Sequence, residues 1–117
     1  LDKNIELINK LKNKKMPFVE NGCDKLIKNS KINFTSDYKN ISNCKNIVIT
    51  VGSPLLQNIE TDLSAIKNTI TNLIPYLKKN QNIILRSTLA PRTTIYVKKL
   101  IEKFSNLIVG KDIGLSF

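Results

Sequence analysis

NIILRSTLAPRTT, residues Asn82 to Thr94, is an apolar strand pattern that runs directly into hydroxyls, a proline and a helix start. Ile83, Ile84 and Leu85 form a continuous apolar run, the pattern of a strand covered on both faces. Ser87 and Thr88 follow at its carboxyl end. Pro91 breaks the chain, and Thr93 or Thr94 is expected to cap the next helix, whose apolar positions are Val97, Leu100, Ile101 and Phe104. In an open α/β sheet, ligands bind in the crevice outside the carboxyl ends of the strands, so two hydroxyls there are candidates for chemistry.

Working outward, the same pattern recurs. Asn46–Val51 (NIVITV) is a second strand rich in β-branched residues, followed by Gly52-Ser53-Pro54. Asp62 is placed to cap a long helix carrying Leu63, Ile66, Ile70, Leu73, Ile74 and Leu77 on one face. Pro75 inside that pattern predicts a kink or an early end. Near the start, Ile5, Ile8 and Leu11 predict a helix over Asn4–Lys14. Gly22–Lys28 reads as a short helix with Leu26 and Ile27 inward, and Lys31–Thr35 as a short strand. Asp37 is expected to cap a brief turn through Ile41, and Ile113–Phe117 is the last strand. Strands alternating with helices over short links imply βαβ units and a parallel sheet.

The chain has 117 residues, enough for one domain with one core. Its net charge of +10 raises the possibility of a nucleic-acid partner. The lysines, however, are scattered among asparagines, only two residues are arginine, and no aromatic ladder offers base stacking. A compositional bias explains the charge without such a partner. No apolar run approaches the roughly 18–20 residues that cross a bilayer, and no signal-peptide pattern is present. A cytoplasmic protein without membrane or nucleic-acid partners is expected. Cys23 and Cys44 are too few for a four-ligand zinc site and are expected to be reduced, buried and small. The chain opens on Leu1 and stops inside a strand pattern, and is expected to be an internal piece of a longer polypeptide.

Thr50–Pro54 (TVGSP) and Arg86–Pro91 (RSTLAP) end two strands alike, with a small hydroxyl residue at the tip and then a proline. If the strands are neighbours, both tips face one crevice. Gly52 permits close backbone approach to a ligand. Ser53, Ser87 and Thr88 offer hydroxyls and N–H groups suited to phosphate, ribose or water. The same residues also serve to close turns and cap helices, and the pattern leaves both roles open. Asp2 precedes a helix at the end of what would be a strand. An acidic residue there either binds an adenosine ribose or caps the helix.

Together these segments resemble the nucleotide-sugar dehydrogenase family, in order and over almost the whole chain. The family's Asp-x-Asn appears as Asp2-Lys3-Asn4. Its Glu-Pro-Gly-Leu region matches at Pro17, Glu20, Gly22, Leu26 and Ile27 and departs at Asn21 and Cys23. Its Thr-Thr-Asp appears as Thr35-Ser36-Asp37, its Val-Gly-Thr-Pro as Val51-Gly52-Ser53-Pro54, and its Asp-Leu as Asp62-Leu63. Its Ser-Thr-Val-Pro-Pro-Gly-Thr-Thr appears as Ser87 to Thr94, with Arg92 where the family usually has glycine. Gly110 to Gly114 resembles the approach to a Pro-Glu-Arg motif.

The resemblance implies a Rossmann-like α/β fold. Its parallel sheet carries helices on both faces, and the first strand and the glycine-rich loop are missing from these residues. It implies NAD as cofactor and oxidation of a sugar C6 alcohol to a carboxylate through a cysteine thioester. Asp2 would bind the adenosine ribose and disfavour the 2′-phosphate of NADP. Val51, Gly52, Ser53 and Pro54 would line the cofactor. Ser87 and Thr88 would lie near the nicotinamide, with Thr88 helping to position a catalytic water. The family's basic residue five positions after the ribose aspartate is Leu7 here, and neither Cys23 nor Cys44 matches the catalytic cysteine. The 117 residues alone are expected to be an inactive part of an NAD-binding domain, from a parent that oligomerises and takes a nucleotide sugar. The rival readings are another Rossmann oxidoreductase, such as a hydroxyacid dehydrogenase, and a basic nucleic-acid-binding module.

Overall fold

The computed structural model describes residues 1–51 and 63–117. They form two compact units, Leu1–Tyr38 and Lys39–Phe117.

The first unit is built on two helices, α1 (Ile5–Lys12) and α2 (Cys23–Asn29). Asn4 caps α1, its side-chain Oδ1 accepting from the Leu7 N–H at 3.0 Å. Lys10 and Lys12 in the last turn complement the negative end of the helix dipole. Gly22, at φ 84°, supplies the left-handed turn into α2. Ile8 and Ile27 are buried, whereas Leu26 is 71% exposed, against the expectation that both members of the pair face inward. Neighbouring residues of a helix point about 100° apart, and a two-turn helix has one narrow inward stripe, which Ile27 takes. No strand forms at 31–35. The Asp2 N–H donates to the Thr35 carbonyl at 3.0 Å where a ladder was expected.

The second unit holds the sheet. Strands β1 (Asn46–Ile49), β2 (Asn82–Leu85) and β3 (Gly114–Ser116) are parallel and lie in sequential order. Helix α3 (Ser64–Leu73) joins β1 to β2, and α4 (Thr93–Phe104) joins β2 to β3. Crossovers of one hand that step in one direction leave their helices on one face of a sheet, and α3 packs against α4.

That face carries the core. Ile47 pairs with Ile83 and Ile49 with Leu85, and all four are buried. They lie with Ile66, Ile70 and Leu73 of α3 and Val97, Leu100 and Ile101 of α4 among the buried residues. Among the described residues, the opposite face is less buried than the apolar runs suggested. Val48 is 56% exposed and Ile84 half-buried. The strands therefore alternate in burial, as sheets with one packed face do.

Pro75 acts as expected. The α-helix ends at Leu73, and Ile74–Tyr76 continue as a 3-10 turn with the proline in its first positions. The brief turn expected after Asp37 is a 3-10 helix, Tyr38–Asn43. The expected caps of α4 differ. Its N-cap is Arg92, and Thr93 is the first helical residue, buried, with its hydroxyl donated to the Ala90 carbonyl at 2.7 Å. A hydroxyl one position inside the helix reaches back to the turn rather than forward to the helix N–H groups. The expected cap Asp62 lies outside the described residues. Cys44, expected to be buried, is exposed, and Cys23 is half-buried.

Candidate functional site

The two strand tips stand side by side. The β1–β2 register pairs Ile49 with Leu85. The Arg86 N–H then donates to the Ile49 carbonyl at 2.8 Å. One step further, the Ser87 hydroxyl donates to the Val51 carbonyl at 2.5 Å. Ser87 and Val51 are half-buried, while Thr88 beside them is exposed. The sequence thus placed hydroxyl residues at two tips, and the pairing of β1 with β2 makes the tips adjacent. The partner of the Ser87 hydroxyl was not foreseen. The signal was available, because once the strands are aligned at Ile49 and Leu85, Val51 falls opposite Ser87. Gly52, Ser53 and Pro54 lie outside the described residues.

Past Thr88, Arg92 sits at φ 70°, in the left-handed region, immediately before α4. This is the position at which the resemblance led one to expect glycine. The turn keeps a glycine-type geometry and imposes it on arginine, a conformation that disfavours a Cβ-bearing residue.

Asp2 belongs to the first unit. Its backbone N–H is held by the Thr35 carbonyl, and its Oδ1 accepts from the Asn4 N–H at 2.9 Å. The helix cap itself is Asn4, so Asp2 is not the capping residue. One carboxylate oxygen is oriented by the backbone. The other, Oδ2, accepts no hydrogen bond among the described residues. The Thr35–Asp37 segment that holds Asp2 is itself closed by the Asp37 N–H donating to the Thr35 hydroxyl at 3.0 Å. An exposed carboxylate with one oriented and one open oxygen suits a vicinal diol.

Cys23 is not an activated nucleophile. Burial, followed by the neighbouring Glu20 carboxylate and the Asp24 charge, raises the pKa of its thiol and holds it protonated. Among the described residues there is no group of three or more histidine, cysteine, aspartate or glutamate side chains placed to hold a metal ion.

The chain matches the model of the UDP-glucose/GDP-mannose dehydrogenase family, NAD binding domain, over residues 1–116. A UDP-glucose 6-dehydrogenase of Rickettsia felis is 30% identical to it, over 100% of this chain and 25% of that protein. The GDP-mannose dehydrogenase of Pseudomonas aeruginosa superimposes with a TM-score of 0.90 at 25% identity, covering 99% of this chain and 29% of that one. An NDP-N-acetyl-D-galactosaminuronic acid dehydrogenase of Methanosarcina mazei gives 0.86 at 28% identity, over 98% and 27%. The chain spans about a quarter of the length of the curated relatives it matches, 23–25%. The adjoining strand tips, the parallel sheet and the ordered motifs agree with these matches: this chain belongs to the UDP-glucose/GDP-mannose dehydrogenase family and carries residues of its NAD binding domain.

Proposed function

We propose that the chain serves, as part of an NAD-binding domain, in a protein that oxidises the C6 alcohol of a nucleotide sugar to a carboxylate. The observation that carries this reading is the pairing of β1 with β2, which sets Val51 beside Ser87 and Thr88. Two motifs 36 residues apart thereby form one rim.

The residues present fit the cofactor. Asp2 offers an exposed carboxylate with one oxygen fixed by Asn4, suited to the adenosine ribose and repelling a 2′-phosphate. Val51, with Gly52, Ser53 and Pro54, would line the cofactor. Ser87 and Thr88 would lie toward its reacting end, where Thr88, exposed in the structure, would help to position a water. When bound, NAD accepts hydride from the sugar alcohol. The side chains of this chain bind and orient. Neither Cys23 nor Cys44 matches the position of the cysteine that the resemblance implies would carry the acyl intermediate.

The reading extends to a cytoplasmic, self-associating protein that supplies uronic-acid precursors for polysaccharides and engages neither nucleic acid nor membrane. The scatter of the lysines through the sequence supports the absence of a nucleic-acid partner, and no described helix is long and apolar enough to cross a membrane. The test is an assay of the protein at its full natural length with NAD+ and a panel of UDP- and GDP-sugars. NADH and a uronic acid should form together, with NADP+ a poor substitute. Turnover of a hydroxyacid with no turnover of any nucleotide sugar would overturn the reading.

A further inference from the structure

The β1–β2 ladder ends in an unusual way. Its backbone bonds advance two residues at a time, from Asn82 N–H to the Lys45 carbonyl to Arg86 N–H to the Ile49 carbonyl, each at 2.8 Å. The next acceptor in that series is the Val51 carbonyl, and the donor recorded on it is the Ser87 hydroxyl at 2.5 Å. A serine hydroxyl has a single hydrogen to give. At Ser87 that hydrogen is already committed inside the protein, so a ligand meets only the oxygen's remaining acceptor capacity.

We propose that Ser87 is a positioning residue rather than a donor to the cofactor. Its hydroxyl clasps the Val51 carbonyl and fixes the separation between the first strand tip and Thr88. The inference rests on the reading above, in which Val51 to Pro54 and Thr88 face one cofactor. It changes the role of Ser87 within that reading. Three features favour a clasp. The bond spans 36 residues of sequence, it joins residues that lie two positions past the last paired residues of β1 and β2, and Ser87 is half-buried while Thr88 is exposed. A bond at this point holds Val51 and Thr88 at a set separation, which is what orientation of a bound reactant requires.

The experiment compares Ser87→Ala, Ser87→Thr and Ser87→Cys in the protein at full natural length, labelled with 13C at valine carbonyls. Without cofactor, Ser87→Ala should move the Val51 carbonyl resonance upfield, and Ser87→Thr should leave it in place. NAD+ affinity and kcat should fall together, by on the order of tenfold or more, in Ser87→Ala. They should recover to within about threefold in Ser87→Thr, which keeps the hydroxyl. Should Ser87→Ala not fold, Ser87→Cys, a weak donor, takes its place and should behave as the alanine variant is expected to. An unmoved Val51 carbonyl in cofactor-free Ser87→Ala, or in Ser87→Cys where it takes that variant's place, or a threonine variant as impaired as alanine, overturns the clasp. Absence of NAD+ binding by the unmutated protein would instead overturn the functional reading.

Discussion

Arg92 shows how much a single residue reveals about a turn. Its φ of 70° is a conformation that costs an L-residue about 1–2 kcal/mol relative to its ordinary basin. Glycine adopts it without that cost but loses more chain entropy on folding, by about 0.5–1 kcal/mol. Arg92→Gly is therefore expected to stabilise the fold by about 0.5–1 kcal/mol, read as a rise in urea midpoint with unchanged slope. A fall in midpoint would mean that the arginine side chain contributes more than its backbone costs. At the same scale, Asp2 and Asn4 divide two tasks that the sequence left on one residue. Asn4 caps α1 with its side chain and steers the Asp2 carboxylate with its N–H. The sequence offered Asp2 as either ribose ligand or cap, and the capping geometry removes the second alternative.

Among the elements, β2 is anchored at its start by groups that no motif announced. Gln81 is buried; its Nε2 donates to the Ile41 and Cys44 carbonyls at 2.8 and 2.7 Å, and its Oε1 accepts from the Lys78 N–H at 2.7 Å. It satisfies three backbone groups from two loops at once. Gln81→Ala strands those groups and should cost about 2–4 kcal/mol in chemical denaturation, since each buried unsatisfied group costs about 1–3 kcal/mol and water relieves part of the loss. Nearby, Asp112 ties the start of β3 to the start of β2. Its Oδ2 accepts from the Ile108 N–H at 3.0 Å, its Oδ1 pairs with Lys79 at 3.0 Å, and its carbonyl accepts from the Asn80 N–H at 2.7 Å. The Ile108 N–H first, and then Lys79, hold this carboxyl below the usual carboxylate pKa. A group depressed on folding stabilises above its unfolded pKa and loses that contribution as pH falls through its folded pKa. Asp112→Asn should therefore flatten the acid side of the stability-against-pH curve below the ordinary aspartate range. An unchanged acid limb would show that other carboxylates govern it. Sequence patterning could not supply either anchor. A lone glutamine and a lone aspartate carry no periodicity, and their partners are backbone groups brought close only by folding.

At the scale of the whole molecule, the second unit's sheet, packed on one face among the described residues, carries most of the core. Ile70, Ile83, Val97 and Ile101 are fully buried, each contributing about 1.5–3 kcal/mol by leaving water. Ile101→Ala should cost about 2–5 kcal/mol, whereas Val48→Thr on the exposed face should change stability by no more than about 0.5 kcal/mol. Thermal or denaturant melts of the two variants decide the point. A large loss at Val48 would mean that its face is packed in solution. In the first unit an apolar groove lined by Leu11, Met16, Cys23, Ile27, Ile32 and Phe34 has a volume of about 460 Å³.

The sequence by itself determined the alternation of strands and helices, the break at Pro75, the parallel sheet and the placing of hydroxyls at the ends of two strands. These follow from periodicity and from the backbone limits of proline, which act locally and survive in any context. The family motifs lie on the same local segments, which is why Asp2, Val51 and Ser87 were legible as candidates. Tertiary structure alone decided which face of the sheet is buried, that Leu26 and Cys44 lie outside, that residues 31–35 form no strand, and that the Ser87 hydroxyl is spent on Val51. Each of these depends on which segment packs against which. A run such as Ile83-Ile84-Leu85 records only how apolar a strand is, whereas the position of its covering helices sets which side chains leave water.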